Sequence, residues 1–223
     1  MRVLAWNIGW NSGPQKIEAV AAAVDAMAPD IAFFSEWSPL PTRTIAGGRL
    51  RSNACHALGD LLRDGGLAHQ RHEHVSNRGG KDAGWRQNYW GILSASRAPI
   101  EKVDTVPPLD GAGSWLEVML ESGVSVVGLR QLAWDGHDLP IRRAHWTWMV
   151  EQFDRLKDTP SIVIGDFNTE MPAVGGPRRT AFGDDLLWSM TDERGWRDPF
   201  DVVGLPKGPT YWKSVNGKRL DYA

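Results

Sequence analysis

Apolar residues recur along this chain in two rhythms, short runs of period two and longer runs of helical period. Val3, Ala5 and Asn7 alternate with Leu4, Trp6 and Ile8, which predicts a strand from Arg2 to Ile8 with a polar residue, Asn7, at its exit. Pro14 opens a predicted helix that runs to about Ala28. It carries Ile17, Val20, Val24 and Met27 on one side and is closed by Pro29. Ile31 to Phe34 reads as the next buried strand and delivers Glu36 just past its end. Strand, helix, strand implies a crossover and a parallel pair, so Asn7 and Glu36 are expected at the same sheet edge.

Pro39 to Gly48 reads as a loop, Asn53 to about Arg63 as a helix and Leu67 to Val75 as a strand. Tyr89 to Ala95, Ile100 to Val106, Trp115 to Glu121 and Ser125 to Leu132 are short strands separated by Pro and Gly turns, an expected antiparallel meander. Helical period returns from Asp138 to Lys157 through Ile141, Trp148, Met149, Phe153 and Leu156, and Pro160 ends it. The strand that follows, Ser161 to Ile164, runs into Gly165 and sets Asp166 and Asn168 one residue apart, on one face by the period of two. Past a Pro/Gly-rich loop (Met171 to Arg179) come a predicted helix near Ala181 to Glu193, the loop GWRDPFD, and TYW followed by KRLDYA, with Asp221 in an expected strand.

The 223 residues, 42% of them hydrophobic, are read as one domain with a sizeable core. No stretch approaches the ~18 apolar residues of a membrane span, and the N-terminus lacks the charged start and apolar run of an export signal. The one cysteine, Cys55, excludes an internal disulfide framework and a thiol zinc cluster, and is read as a small buried residue. A cytoplasmic location is expected; the oligomeric state is not readable. Three histidines in HQRHEH (residues 69–74) invite a metal reading, but only His72 and His74 share a face, and no cysteine or carboxylate of zinc-site spacing accompanies them.

Charge sharpens the picture. The formal net charge is only −2, yet between Thr42 and Arg97 nine basic residues stand against four acidic ones. Arg43, Arg78, Lys81 and Arg86 belong to that stretch, which reads either as solvated loops and helix faces or as a phosphate-facing strip.

Taken alone, GDFN (Gly165 to Asn168) is short enough to recur in an ordinary strand-turn. In order along the chain, however, WNI (Trp6 to Ile8), SEW with Glu36, NYWGILSAS (Asn88 to Ser96), GDFN, TYW (Thr210 to Trp212) and RLDYA (Arg219 to Ala223) resemble the endonuclease/exonuclease/phosphatase superfamily, the DNase I-like fold. The resemblance spans nearly the whole chain. It implies a four-layer α/β/β/α sandwich, two mixed sheets flanked by helices, and Mg2+- or Mn2+-dependent cleavage of phosphate esters. On matching motif positions, Glu36 would be the main metal ligand, with Asn7 beside it holding metal-bound water or a phosphate oxygen. Asp166 would orient or deprotonate the attacking water, and Asn168 would donate a hydrogen bond to the transition state.

Two departures stand out. Where the superfamily has a His-Leu pair, this chain reads VVGLRQL, with Arg130 or Gln131 at the histidine position; an arginine there could grip a phosphate bidentately. The closing Ser-Asp-His segment, whose histidine Asp221 would pair with, lies downstream of LDY, and Ala223 follows LDY directly. Either the sequence continues past Ala223 or the histidine is lost, and for these 223 residues the expectation is a fold lacking its last strand or strands, with weak or absent turnover; His137 or His145 could substitute, although no position in the chain points to either. The favoured substrate is nucleic acid, bound by the basic strip, with Arg78, Lys81, Arg86 and Arg130 on phosphates and some of the twelve tryptophans stacking bases. A phospholipid or inositol phosphate head group, and a binding module that has lost turnover, are the alternatives.

Overall fold

The computed structural model describes residues 1–9, 13–44, 50–52, 54–75, 90–105, 114–131, 139–167, 194–197 and 199–204. Strand β1 (Val3–Asn7) leads through helix α1 (Pro14–Met27) into β2 (Ile31–Trp37), which lies parallel to it with Asn7 opposite Ser35. A short ribbon of β3 (Thr42–Thr44) and β4 (Leu50–Ser52) follows. A 3-10 turn (Ala54–Ala57) then opens α2 (Leu58–Asp64), which leads into β5 (His69–Val75). β6 (Trp90–Ser96) completes a first mixed sheet of order β1-β2-β6-β5. β7 (Ile100–Val103), β8 (Ser114–Leu120) and β9 (Ser125–Arg130) form the second sheet with β10 (Ser161–Asp166), in the order β10-β9-β8-β7. α3 (Leu139–Leu156) is the crossover between the parallel neighbours β9 and β10.

Among the described residues, three buried clusters separate four layers. Ile17, Val20 and Val24 of α1 pack with Leu58 and Leu62 of α2 on one face of the first sheet, against Ala32, Phe34 and Leu93. Ile31, Phe33 and Ile92 meet Leu116, Val118 and Val126 between the two sheets. Met149, Phe153 and Leu156 of α3 cover the outer face of the second sheet at Trp115, Val127, Leu129 and Val163. The period of two is visible in each strand: Phe33 faces the inter-sheet layer while Phe34 faces the helices, and Val126 and Val127 divide likewise. This is the α/β sandwich with two mixed sheets flanked by helices that the sequence leads one to expect.

Four expectations need correction. The stretch read as a loop from Pro39 to Gly48 holds β3, paired with β4; three-residue strands carry too few positions to register a period. The expected helix from Asn53 begins as the 3-10 turn, and α2 starts only at Leu58. The middle strands are antiparallel, but the run is divided between the sheets. β6 ends at Ser96 in the first, Pro99 cannot donate to a ladder, and β7 starts at Ile100 in the second. Within the segment read as the loop GWRDPFD, α4 (Pro199–Val203) starts on a proline, whose missing N–H is no loss in a helix's first turn. Cys55 is buried, as expected, and Trp37, Trp115 and Trp146 are also buried, so these three tryptophans serve packing rather than base stacking.

Gly128 lets the two sheets approach closely, because a Cβ there would be driven into the Phe33 ring. Gly128→Ala is expected to destabilise the protein by about 1–3 kcal/mol. Phe33→Leu in the same molecule should recover part of that loss. Urea unfolding of the single and double variants checks this; strictly additive losses would show that the two positions do not share the space.

Candidate active site

The parity of each strand decides which side chains meet at the sheet edge. On β1, Val3 belongs to the inter-sheet cluster, so Ala5 and Asn7 follow it to that side. On β10, Ile162 and Ile164 face the same layer, and Asp166 follows them. On β9, Val126 sets the parity and Arg130 inherits it. Glu36 alone breaks the rule, since alternation from Phe34 would send it into the helix-side core. It does not go there because β2 bulges. The register against β6 shifts between Ser35 and Trp37, and Glu36 takes a left-handed φ of 60°. The extra residue reverses the parity, so Trp37 joins Phe34 on the helix side and Glu36 is re-aimed toward Asn7. The sequence reading ended this strand at Phe34 and set Glu36 just beyond it; the strand in fact runs through Trp37, with Glu36 at the bulge.

Four side chains from four strands converge as a result. The Asn7 amide Nδ2 donates to Glu36 Oε1 at 3.2 Å and to Asp166 Oδ2 at 2.7 Å, joining two carboxylates that belong to different sheets. Its own oxygen accepts the Gly9 N–H at 2.9 Å, which fixes the direction in which the amide points. Arg130 Nη2 donates to Glu36 Oε1 at 3.1 Å, and the pair is largely withdrawn from water, Arg130 being 3% and Glu36 11% exposed. Burial lowers the Arg130 pKa, and the neighbouring charges of Glu36 and Asp166 oppose that shift. The guanidinium nonetheless remains the cationic partner at any ordinary pH.

The surrounding backbone serves this arrangement. Gly165 has φ 148° and packs so closely on the next strand that a Cβ would land on the Leu129 carbonyl. That close approach brings Asp166 opposite Arg130 in the parallel register, and the Gln131 N–H then donates to the Asp166 carbonyl at 2.8 Å. Lys16 Nζ donates to the Ile8 carbonyl at 2.8 Å, tying the first turn of α1 to the end of β1.

Of the residues singled out in the sequence, Asn7, Glu36, Asp166 and Arg130 are brought together. Asn168, Asp221, Arg78, Lys81, Arg86 and His137 lie outside the described residues, as do the helix expected at 181–193 and the closing strands. The segment that carries Arg78, Lys81 and Arg86 leaves β5 at Val75 and re-enters β6 at Trp90, which are opposite one another. Gly91, the next residue, is opposite Trp37, so both ends of the segment lie at the edge that presents Glu36. Arg43 is opposite Arg51 in the β3–β4 ribbon. Among the described residues, no group of three or more His, Cys, Asp or Glu side chains is placed to hold a metal ion.

His145 acquires the position that the sequence did not supply. It is buried on α3, its Nδ1 lies 2.7 Å from Gln131 Oε1, and its ring stacks on Trp148 at 5.7 Å. Arg130 and Gln131 are consecutive and therefore face opposite ways, one into the site and the other back to the helix. That parity was legible, but nothing in the sequence fixes which turn of α3 meets the end of β9.

A family model described as the Endonuclease/Exonuclease/phosphatase family matches residues 4–223. The chain belongs to this family, whose members are hydrolases of phosphoester bonds and generally use divalent metals. A comparison with curated proteins finds no match. Among solved structures, an endonuclease/exonuclease/phosphatase from Beutenbergia cavernae is similar, with 19% identity and a TM-score of 0.68, covering 100% of this chain and 63% of that one. TDP2 from C. elegans has 18% identity and a TM-score of 0.57 over 99% of this chain and 62% of its own. The human Nocturnin catalytic domain, solved with bound sulfate, has 14% identity and a TM-score of 0.59 over 100% and 80%. At these identities the likeness is one of fold, and the chain spans under two thirds of the length of the first two.

The contact between His145 and Gln131 is expected to anchor α3 to the end of β9. His145→Phe should lower stability by about 1–3 kcal/mol, as loss of a buried hydrogen bond does. Urea denaturation measures it, and an unchanged midpoint would show that the contact holds nothing.

Proposed function

We propose that this chain is a divalent-metal-dependent phosphodiesterase acting on nucleic acid, and that residues 1–223 form one domain of the family. The observation that supports it most is the convergence of Glu36, Asn7, Asp166 and Arg130, drawn from both sheets onto one edge. Glu36 and Asp166 are two hard carboxylate donors, positioned by the Asn7 Nδ2 that faces both, and Mg2+ or Mn2+ is commonly held by only one or two carboxylates together with substrate oxygens. Glu36 would hold the ion, with Asn7 beside it. When bound, the ion would withdraw charge from the phosphate.

The chain's own groups divide the remaining work. Asp166, held in place by the Asn7 amide at 2.7 Å, would orient the attacking water and accept its proton. Arg130 presents a planar fork of donors beside the carboxylates and would grip a phosphate oxygen pair. Asn168, two residues past Asp166, would donate to the charge that builds on the phosphate in the transition state. The bonds from Gly9 to Asn7 and from Gln131 to Asp166 limit how far this set can drift, and positioning of that kind carries much of the rate in phosphoryl chemistry.

Hydrolysis of bis-p-nitrophenyl phosphate and of plasmid DNA with Mg2+ or Mn2+ tests the assignment. Asp166→Ala and Glu36→Ala should each lower kcat/KM by about 100-fold or more, and EDTA should abolish turnover. Activity that survives Asp166→Ala would contradict the site.

Substrate class has its own test. The basic excess between Thr42 and Arg97, with Arg78, Lys81 and Arg86 on the segment that starts and ends at the site edge, supports a polyanion. Binding of short single- and double-stranded DNA should weaken steeply with salt, log K falling by roughly 0.7–0.9 per phosphate contact for each unit of log salt. No affinity and no slope would favour a phospholipid or inositol phosphate head group.

A further inference from the structure

Glu36 has more than one claimant. Its Oε1 accepts both the Asn7 amide and the Arg130 guanidinium, at 3.2 and 3.1 Å, while Asp166 is held on the other side of the same amide. Arg130 is buried, leads out of a strand end packed between the sheets, and faces Glu36 and Asp166 together. A divalent cation that approaches Glu36 therefore meets a fixed positive charge already bonded to one of the two carboxylate oxygens. Like charges at such a range in a partly dry site repel strongly, so Arg130 opposes the cation for as long as it stays on the carboxylate.

A phosphate changes that balance. Its paired oxygens fit the guanidinium fork as well as a carboxylate does, and its negative charge is what a bound cation also seeks. We propose that the cation and the phosphate bind to this site interdependently, with Arg130 as the coupling residue. The phosphate draws the guanidinium from Glu36, and Glu36 is thereby opened to the cation. This rests on the phosphodiesterase reading above and adds an order to it: the free protein binds the ion weakly, and substrate recruits it. By linkage, the cation must strengthen phosphate binding by the same factor by which phosphate strengthens cation binding.

The experiment uses the full chain, Mn2+ as the ion and dimethyl phosphate as the probe, with free Mn2+ followed by electron paramagnetic resonance and a protein-free control. Saturating dimethyl phosphate should tighten Mn2+ binding by about tenfold in the wild type. Arg130→Gln should bind Mn2+ without the diester at least as tightly as the wild type does with it, and the diester should change that affinity less than twofold. Mn2+ should also raise the melting temperature of Arg130→Gln more than that of the wild type. Should Arg130→Gln fail to fold, Arg130→Lys, which keeps the charge but loses the fork, should retain weak Mn2+ binding and lose most of the tightening. Equal Mn2+ affinity with and without diester in the wild type would overturn the inference while leaving the phosphodiesterase reading intact. So would full coupling that persists in Arg130→Gln, because the diester would then be acting on the ion directly. No Mn2+ binding under any condition would overturn the metal-dependent reading as well.

Discussion

One amide group joins the two halves of this molecule where it matters. Asn7 Nδ2 lies within hydrogen-bond reach of a carboxylate on each sheet, Glu36 on one and Asp166 on the other. Two like charges that close repel unless something between them donates, and here the donors are a carboxamide and a buried guanidinium. The arrangement requires the edges of the two sheets to meet, with β1 against β10. The packing of Ile31 and Phe33 on Val126, and of Ile162 and Ile164 beneath Asp166, holds that approach. An apolar layer thus sets the distance between two acids that would not choose it themselves.

Two unusual backbone conformations lie at the same edge. Glu36 has a left-handed φ that a side-chain-bearing residue rarely takes, a conformation that costs on the order of 1 kcal/mol or more. Gly165 takes a φ that only glycine tolerates well, and the space at that position forbids any larger residue. Each distortion aims a carboxylate: the bulge turns Glu36 out of the helix-side core, and the close approach at Gly165 carries Asp166 level with Arg130. Burying Arg130 adds a desolvation cost that is recovered only while an anion faces it.

Much of this was legible in the chain. Alternation gave the strands, the Pro14 to Pro29 segment gave α1 with its buried Ile17, Val20 and Val24, and strand-helix-strand order gave parallel pairs with Asn7, Glu36 and Asp166 at strand ends. The bulge was not legible, since periodicity counts residues and cannot say where one is added without pairing. The partnership of Arg130 with Glu36 crosses 94 positions and depends on how two sheets stack, which no local pattern encodes. His145 was visible only as a histidine on a helix; its bond to Gln131 depends on the rotation of α3 against β9. The division of the middle strands between two sheets falls at the turn containing Pro99, and a turn residue marks where a strand ends without saying which sheet the next one joins.

The central claim is that Glu36, Asn7, Asp166 and Arg130 form one phosphate-handling site. Anomalous diffraction from crystals of the full chain grown with Mn2+ and dimethyl phosphate tests it most directly. The expected result is a manganese peak bound to Glu36 at about 2.1 Å, with the diester on Arg130 and the Asp166 carboxylate facing its phosphorus. A manganese peak remote from Glu36, with Arg130 still paired to that carboxylate and the diester elsewhere, would contradict it.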